Sequence, residues 1–171
     1  MLSEAELDQR VASLVGLGKT CIEFAAAILR NASVGRVRNF YEIDFCVHAD
    51  QRGRLTVIEG ATHLPFVIQR VYYMTDFAPQ AIRGLHAHRQ LEQVIVAIRG
   101  SFDVFLDDGR NECVQRLNRS DKGLYIGTYI WHEISNCSAD AVCMMLASMP
   151  YDEEDYIRDH EKFRAEAKGA T

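Results

Sequence analysis

The 171-residue chain lacks any Cys-x-x-Cys pair, and its five cysteines, Cys21, Cys46, Cys113, Cys137 and Cys143, are odd in number and scattered. That pattern argues against a disulfide framework or a cysteine-held metal and leads us to expect reduced thiols in a cytoplasmic protein. No run approaches the ~18 apolar residues of a membrane span. The opening MLSEAELDQR is acidic rather than basic, so neither a signal peptide nor a membrane helix is expected. Only three prolines occur, with no internal repeat and no low-complexity linker, so nothing marks a sharp domain boundary. An excess of positive charge is missing too: the net charge of −5 gives no general attraction to nucleic acid or to anionic membranes. A complete phosphate-binding loop is also absent. GLGKT at 16–20 ends like one, but Ser13 stands where its first glycine belongs, and a helical rather than a strand pattern precedes it.

What is present reads as one globular domain with an extension, since hydrophobic residues make up 48% and charged residues 25%. Ser3 and Glu6 form a capping-box pattern, and Leu7, Val11, Leu14 and Val15 share a helical face; CIEFAAAILR at 21–30 predicts a second short helix. From Gly53 onward the texture changes to short runs rich in β-branched and aromatic residues: 55–59, 66–75, 92–100, 101–109, 113–117, 124–127 and 141–148. Their spacing predicts a mainly β sandwich or barrel, with Asp108-Gly109 as a hairpin turn. The segment from Tyr151 to Lys168, acidic first and basic later, predicts a carboxy-terminal helix, and its YDEEDY start reads as a solvated helix end rather than a cation site.

The stretch RGLHAHRQLEQ, Arg83–Gln93, carries the chemistry. On a strand, side chains two apart share a face, so His86 and His88 point the same way. Together with Glu92 and the distant His132 they give an H-x-H-x3-E…H pattern that resembles the cupin superfamily, whose metal-dependent members bind an ion through three histidines and a glutamate. Glu92 is therefore a candidate fourth ligand. The pattern does not force a metal, because related enzymes use the same cavity with histidine as acid and base. The chain departs from the metal-binding motif at Gln80, where a glycine ordinarily begins it.

RVYYMTD (70–76), RGLHAHRQLEQV (83–94), GSFDVFLDDG (100–109), GLYIGTYIWHEI (123–134) and LASMPYDEEDYIRDHEKF (146–163) together resemble the sugar 3,4-ketoisomerases acting on dTDP-4-keto-6-deoxyglucose. The resemblance implies a cupin-type β-barrel, or jelly roll, at 46–163, preceded by a helical extension at 1–45 and followed by a tail at 164–171. It implies no metal and no cofactor, a homodimer with exchanged strands, and a place in deoxysugar biosynthesis for surface polysaccharide or a glycosylated metabolite. Moving a ketone from C4 to C3 needs groups that titrate near neutral pH, and imidazole, with a free pKa of about 6.5, suits the task. His88 is assigned as carbon base and His86 as its oxygen-side partner, with Tyr73 as a hydrogen-bond donor to the developing oxyanion. Arg70 and Arg83 are the expected diphosphate clamps. Arg52 and His132 occupy positions that resemble the type forming the galacto-configured product, and Glu92 and Gln93 are expected to orient the histidines. The rival readings are a 3,5-epimerase, to which RGLH is also similar, a metal-dependent cupin enzyme, and a carbohydrate-binding protein without turnover.

Overall fold

The computed structural model describes Val37 and residues 39–169, so both predicted amino-terminal helices lie outside the described residues. Within them the strands are β1 (Phe40–Asp44), β2 (Cys46–Asp50), β3 (Gly53–Val57), β4 (Arg70–Met74), β5 (Arg83–His88), β6 (Gln93–Arg99), β7 (Phe102–Asp107), β8 (Glu112–Leu117), β9 (Lys122–Ile126), β10 (Trp131–Ser135), β11 (Val142–Ala147) and β12 (Tyr156–Ile157). A 3₁₀ turn at Glu153–Asp155 precedes β12, and one α-helix, α1 (His160–Ala167), follows it.

Three antiparallel sheets result: β1-β9-β6-β11-β4, β12-β5-β10-β7-β8, and the β2-β3 hairpin. The expected closed cupin-type barrel is not formed. Among the described residues β1 and β4 bound the first large sheet and β12 and β8 the second, and no ladder joins these bounding strands into a closed barrel. The apolar alternation that suggested a barrel fixes which face of a strand is buried, and it serves two facing sheets as well as it serves a closed one.

Alternation explains the layers. In β6, Ile95 and Ala97 join Leu124, Ile126 and Met145 from the same sheet against Phe102, Val104 and Ile134 from the other, forming the core between the sheets. Val94 and Val96 point the opposite way, where Leu64 and Phe66 cover the outer face with Tyr41 and Tyr125. Because both faces of this central strand are covered, it reads as a continuous apolar run. The outer face of the second sheet is closed by α1, whose Phe163 is fully buried with Trp131, Ala87 and Ile157.

The helix begins later than its sequence pattern predicts. Asp152 accepts from the Glu154 backbone to make the 3₁₀ turn, the chain pairs with β5 through β12, and only then does Asp159 cap α1 by accepting from the Lys162 N–H. Buried Asp107, at the end of β7, anchors the helix by accepting from His160 Nε2 at 2.9 Å and Arg164 Nε at 3.1 Å. The predicted hairpin turn after β7 is present: Gly109 has φ +83° and Asp108 Oδ1 accepts from the Asn111 N–H at 2.7 Å.

Candidate active site

β5 and β10 bring the histidines together. Their register pairs His132 with His86, then slips so that Glu133 pairs with Gly84, leaving Leu85 as the extra residue of a bulge. Gly84 and Leu85 both have positive φ, +84° and +55°. Glycine tolerates this, whereas leucine in that region costs about 1–3 kcal/mol, which the surrounding pairing must offset. The bulge sets His86 directly opposite His132 on the inner face. A Cβ at Gly84 would lie 2.8 Å from the His132 carbonyl oxygen. Gly84→Ala is therefore expected to lower the thermal unfolding midpoint, by a loss exceeding about 1 kcal/mol, and to lower turnover by shifting His86 away from its neighbours. An unchanged midpoint with full turnover would refute this reading of the bulge.

The imidazoles form one cluster. His86 Nε2 lies 3.1 Å from His88 Nε2, and the His86 and His132 ring centroids are 4.5 Å apart. The ring of Tyr156 packs on both members of the pair, at 4.8 Å from His86 and 4.4 Å from His88. His88 is 2% exposed, and its Nδ1 is 2.8 Å from Asp155 Oδ2; His86 is only partly buried, with Nδ1 2.9 Å from the Gly84 carbonyl. His132 Nε2 takes a hydrogen bond from the Gln93 amide at 3.0 Å, and Gln93 Oε1 accepts one from the Tyr72 hydroxyl at 3.2 Å.

Burial dominates the electrostatics, because a low-dielectric setting disfavours the charged imidazole. It lowers the pKa of His86, with the Gly84 carbonyl opposing. It brings His88 down to about 4, helped by the charge of His86 and opposed by Asp155. His132 falls well below the free value, through burial first and the two neighbouring histidines next. Burial pushes Tyr72 up to about 12, so it stays a phenol able to donate.

Arg70 enters from β4. Its Nε and Nη2 are buried and find no hydrogen-bond partner among the described residues, and its guanidinium lies 4.9 Å from the Tyr72 ring centroid and 5.6 Å from that of Tyr151. Buried donors without an acceptor carry a desolvation cost that an anion's oxygens can offset.

Not every predicted residue joins the cluster. Tyr73 is 71% exposed, because positions 70, 72 and 74 of β4 face inward while 71 and 73 face out; Tyr72 stands where Tyr73 was expected. Glu92 points to the outer face and accepts from the Tyr125 hydroxyl at 3.0 Å, whereas Gln93 shares the inner face with Ile95 and Ala97. Among the described residues no set of three His, Cys, Asp or Glu side chains converges as a metal shell. Arg83 is exposed at the start of β5. Arg52 is exposed on the β2-β3 hairpin and paired with Asp50. Two contributors escaped the sequence reading: Asp155, 5% exposed within the segment expected to be solvated, and Tyr156 beside it.

A family model described as FdtA: WxcM-like, C-terminal matches residues 38–168. The chain is 46% identical over 122 residues to the TDP-4-oxo-6-deoxy-alpha-D-glucose-3,4-oxoisomerase of Aneurinibacillus thermoaerophilus, spanning 71% of this chain and 88% of that protein. Its fold is similar to a 3,4-ketoisomerase from Helicobacter canadensis, with TM-score 0.74 and 40% identity over 76% of this chain and 98% of the other. It is equally similar to a histidine-to-asparagine variant of the 3,4-ketoisomerase QdtA from Thermoanaerobacterium thermosaccharolyticum, solved in complex with TDP-4-keto-6-deoxyglucose: TM-score 0.76, 39% identity, 78% of this chain and 96% of that one. The matched span holds every strand of both large sheets and all the residues of the histidine cluster, and on these grounds the chain belongs to the FdtA (WxcM-like, C-terminal) family.

Proposed function

We propose that His86 and His88 perform the proton transfers by which this enzyme, a sugar-nucleotide 3,4-ketoisomerase, isomerises a dTDP-linked 4-keto-6-deoxyhexose to its 3-keto form. The observation that carries the proposal is the 3.1 Å approach of two imidazole Nε2 atoms on the inner face, on the side of the fold where Arg70 holds two buried guanidinium nitrogens without a hydrogen-bond partner among the described residues. One imidazole removes the C3 proton and the other protonates the C4 oxygen, giving an enediol that is reprotonated at C4. His88 is the carbon base expected above, but the difference in burial supports the reverse order: His86 is the more open ring, whereas His88 is 2% exposed. Tyr72, held as a phenol and facing inward, supports the oxyanion role better than outward Tyr73 does. Arg70 takes the diphosphate, and Arg83 meets the nucleotide at the exposed end of β5.

For the C4 configuration, the galacto type implied by Arg52 and His132 is retained. His132, enclosed and fixed by Gln93, forms a rigid wall beside His86 against which one face of the sugar is set. Arg52 stands on an exposed hairpin that pairs with neither large sheet among the described residues, and a hairpin so placed is free to extend a second copy, which supports a homodimer with exchanged strands. β4, last in its sheet among the described residues and with Val71 56% and Tyr73 71% exposed on its outer face, supports the same arrangement. A monomer in sedimentation at working concentration would overturn the dimer. No helix among the described residues is long and apolar enough to cross a membrane, and four free cysteines there support a reducing, cytoplasmic setting.

The test is a proton NMR time course with dTDP-4-keto-6-deoxyglucose in deuterated water. The C4 ketone is expected to be replaced by a C3 ketone with deuterium entering at C4, whose ring couplings report its configuration. An inverted ring carbon with the ketone unmoved would mean an epimerase, absence of both exchange and ketone movement a binding protein, and loss of turnover on chelation a metal-dependent enzyme.

A further inference from the structure

Three hydrogen bonds fix where the protons of the histidine pair reside. The Gly84 carbonyl has no hydrogen to give, so His86 Nδ1, 2.9 Å away, carries one. Both oxygens of Asp155 accept from the backbone, Oδ1 from the Gln90 N–H at 2.6 Å and Oδ2 from the Leu91 N–H at 3.3 Å. This is the arrangement of an acceptor-only carboxylate, so His88 Nδ1, 2.8 Å from Oδ2, carries a proton as well. With both Nδ1 positions filled, the two Nε2 atoms that face each other at 3.1 Å hold a hydrogen bond only if exactly one further proton sits between them.

Resting on the reading of this pair as the acid–base machinery, we propose that Asp155 is a positioning residue of the isomerase. It fixes His88 as the Nδ1-protonated form and balances the charge of the single proton that His86 and His88 share. The pair then has one proton to give and one lone pair to take.

In the first half-reaction His88 Nε2 gives its proton to the C4 carbonyl oxygen while His86 Nε2 accepts the proton on C3. The C3–H electron pair becomes the C3=C4 bond, and the carbonyl π pair becomes the new O–H bond of a neutral enediol. In the second half the C3 hydroxyl returns a proton to His88, its bonding pair becoming the C3 carbonyl, while the C3=C4 pair takes the proton from His86 at C4. The pair holds one mobile proton before and after each half, and no other reactant is needed.

The surroundings fit this inventory. Tyr156 lies on both rings, His132 faces them from β10, Arg70 from β4, and Glu153 and Arg158 act on His86 from the carboxy-terminal segment. Burial and the charge of His86 lower the pKa of His88, and Asp155 acts in the opposite sense, favouring a proton on the pair. Asp155 is itself held in place, since Arg89 Nη1 donates to the carbonyls on either side of it, those of Glu154 at 2.9 Å and Tyr156 at 3.1 Å, and its guanidinium also clamps Glu166.

Asp155→Asn is expected to lower kcat by about 10²- to 10⁴-fold with KM little changed. Without the carboxylate the shared proton is held less tightly, so the alkaline limb of the kcat profile moves to lower pH. Asp155→Glu should recover part of kcat and return the limb. A folded Asp155→Asn protein with wild-type kcat, or with reduced kcat and an unmoved limb, would overturn the proposal. If that variant does not fold, ¹⁵N-histidine NMR of the unaltered enzyme decides: both Nδ1 atoms are expected to be protonated throughout the working range, with one titration shared by the two rings. Neutral Nε2-protonated rings titrating separately would overturn it. Should His86 and His88 variants turn over normally, the acid–base reading itself fails; should they be inert while Asp155→Asn is active and folded, only the role of Asp155 fails.

Discussion

Replacing His86 by asparagine is expected to cut turnover by about 10²- to 10⁴-fold, the usual contribution of a positioned acid or base, and to stop deuterium entering the substrate from solvent. The reasoning starts from geometry. His86 is the ring of the pair that is open to a substrate, its Nδ1 is committed to the Gly84 carbonyl, and only Nε2 is left to accept a proton. Asparagine keeps a polar group on the bulged strand but cannot hold a proton there. Binding of dTDP should survive, because the diphosphate and nucleotide are assigned to Arg70 and Arg83 rather than to this ring. Isothermal titration with dTDP and an exchange measurement on the same sample separate the two effects. Substantial exchange by the variant would return the carbon proton to His88.

Replacing Arg70 by methionine is expected to act with opposite signs on stability and binding. In the unliganded protein two guanidinium nitrogens of Arg70 are buried without a hydrogen-bond partner among the described residues, a cost partly offset by about 0.5–2 kcal/mol of contact with the Tyr72 and Tyr151 rings. Methionine fills similar volume without a charge. Substitutions of buried ions by apolar residues are often neutral or stabilising by about 1–4 kcal/mol, so the ligand-free unfolding midpoint should rise. Hydrogen bonds to a charged group contribute about 1.5–3 kcal/mol each, so dTDP affinity should fall by roughly ten- to a hundredfold. The rise of the midpoint on adding dTDP should shrink accordingly. A variant less stable than the parent that binds dTDP with undiminished affinity would make Arg70 a structural residue.

The placement of the candidate residues could be read from the sequence where a strict rule links spacing to side. His86 and His88, two apart, do share a face. The same rule, applied to RVYYM, separates Tyr72 from Tyr73 once Arg70 is taken as inward; applied to EQVIVAI, it puts Gln93 with Ile95 and Glu92 with Val94. Tyr73 was expected inward, and Glu92 was grouped with Gln93, because motif spacing was followed in place of strand parity. Asp155 is different. Its acidic neighbours Asp152, Glu153 and Glu154 are exposed, and nothing local distinguishes it from them; its burial depends on β12 pairing with β5, a contact between distant parts of the chain. The barrel failed for a related reason, since alternation within strands carries no information about which edges meet.

Asp155 and His88 are 67 residues apart in sequence. As the chain leaves the ribosome, β5 and most of its sheet are available well before the final turn that completes the histidine pair. The residues of the two larger apolar clusters all precede Tyr151, whereas Asp155 and Tyr156, which contact the histidine pair, follow it. Completion of the proposed site thus waits on the pairing of β12 with β5, which follows the strands of both large sheets in chain order.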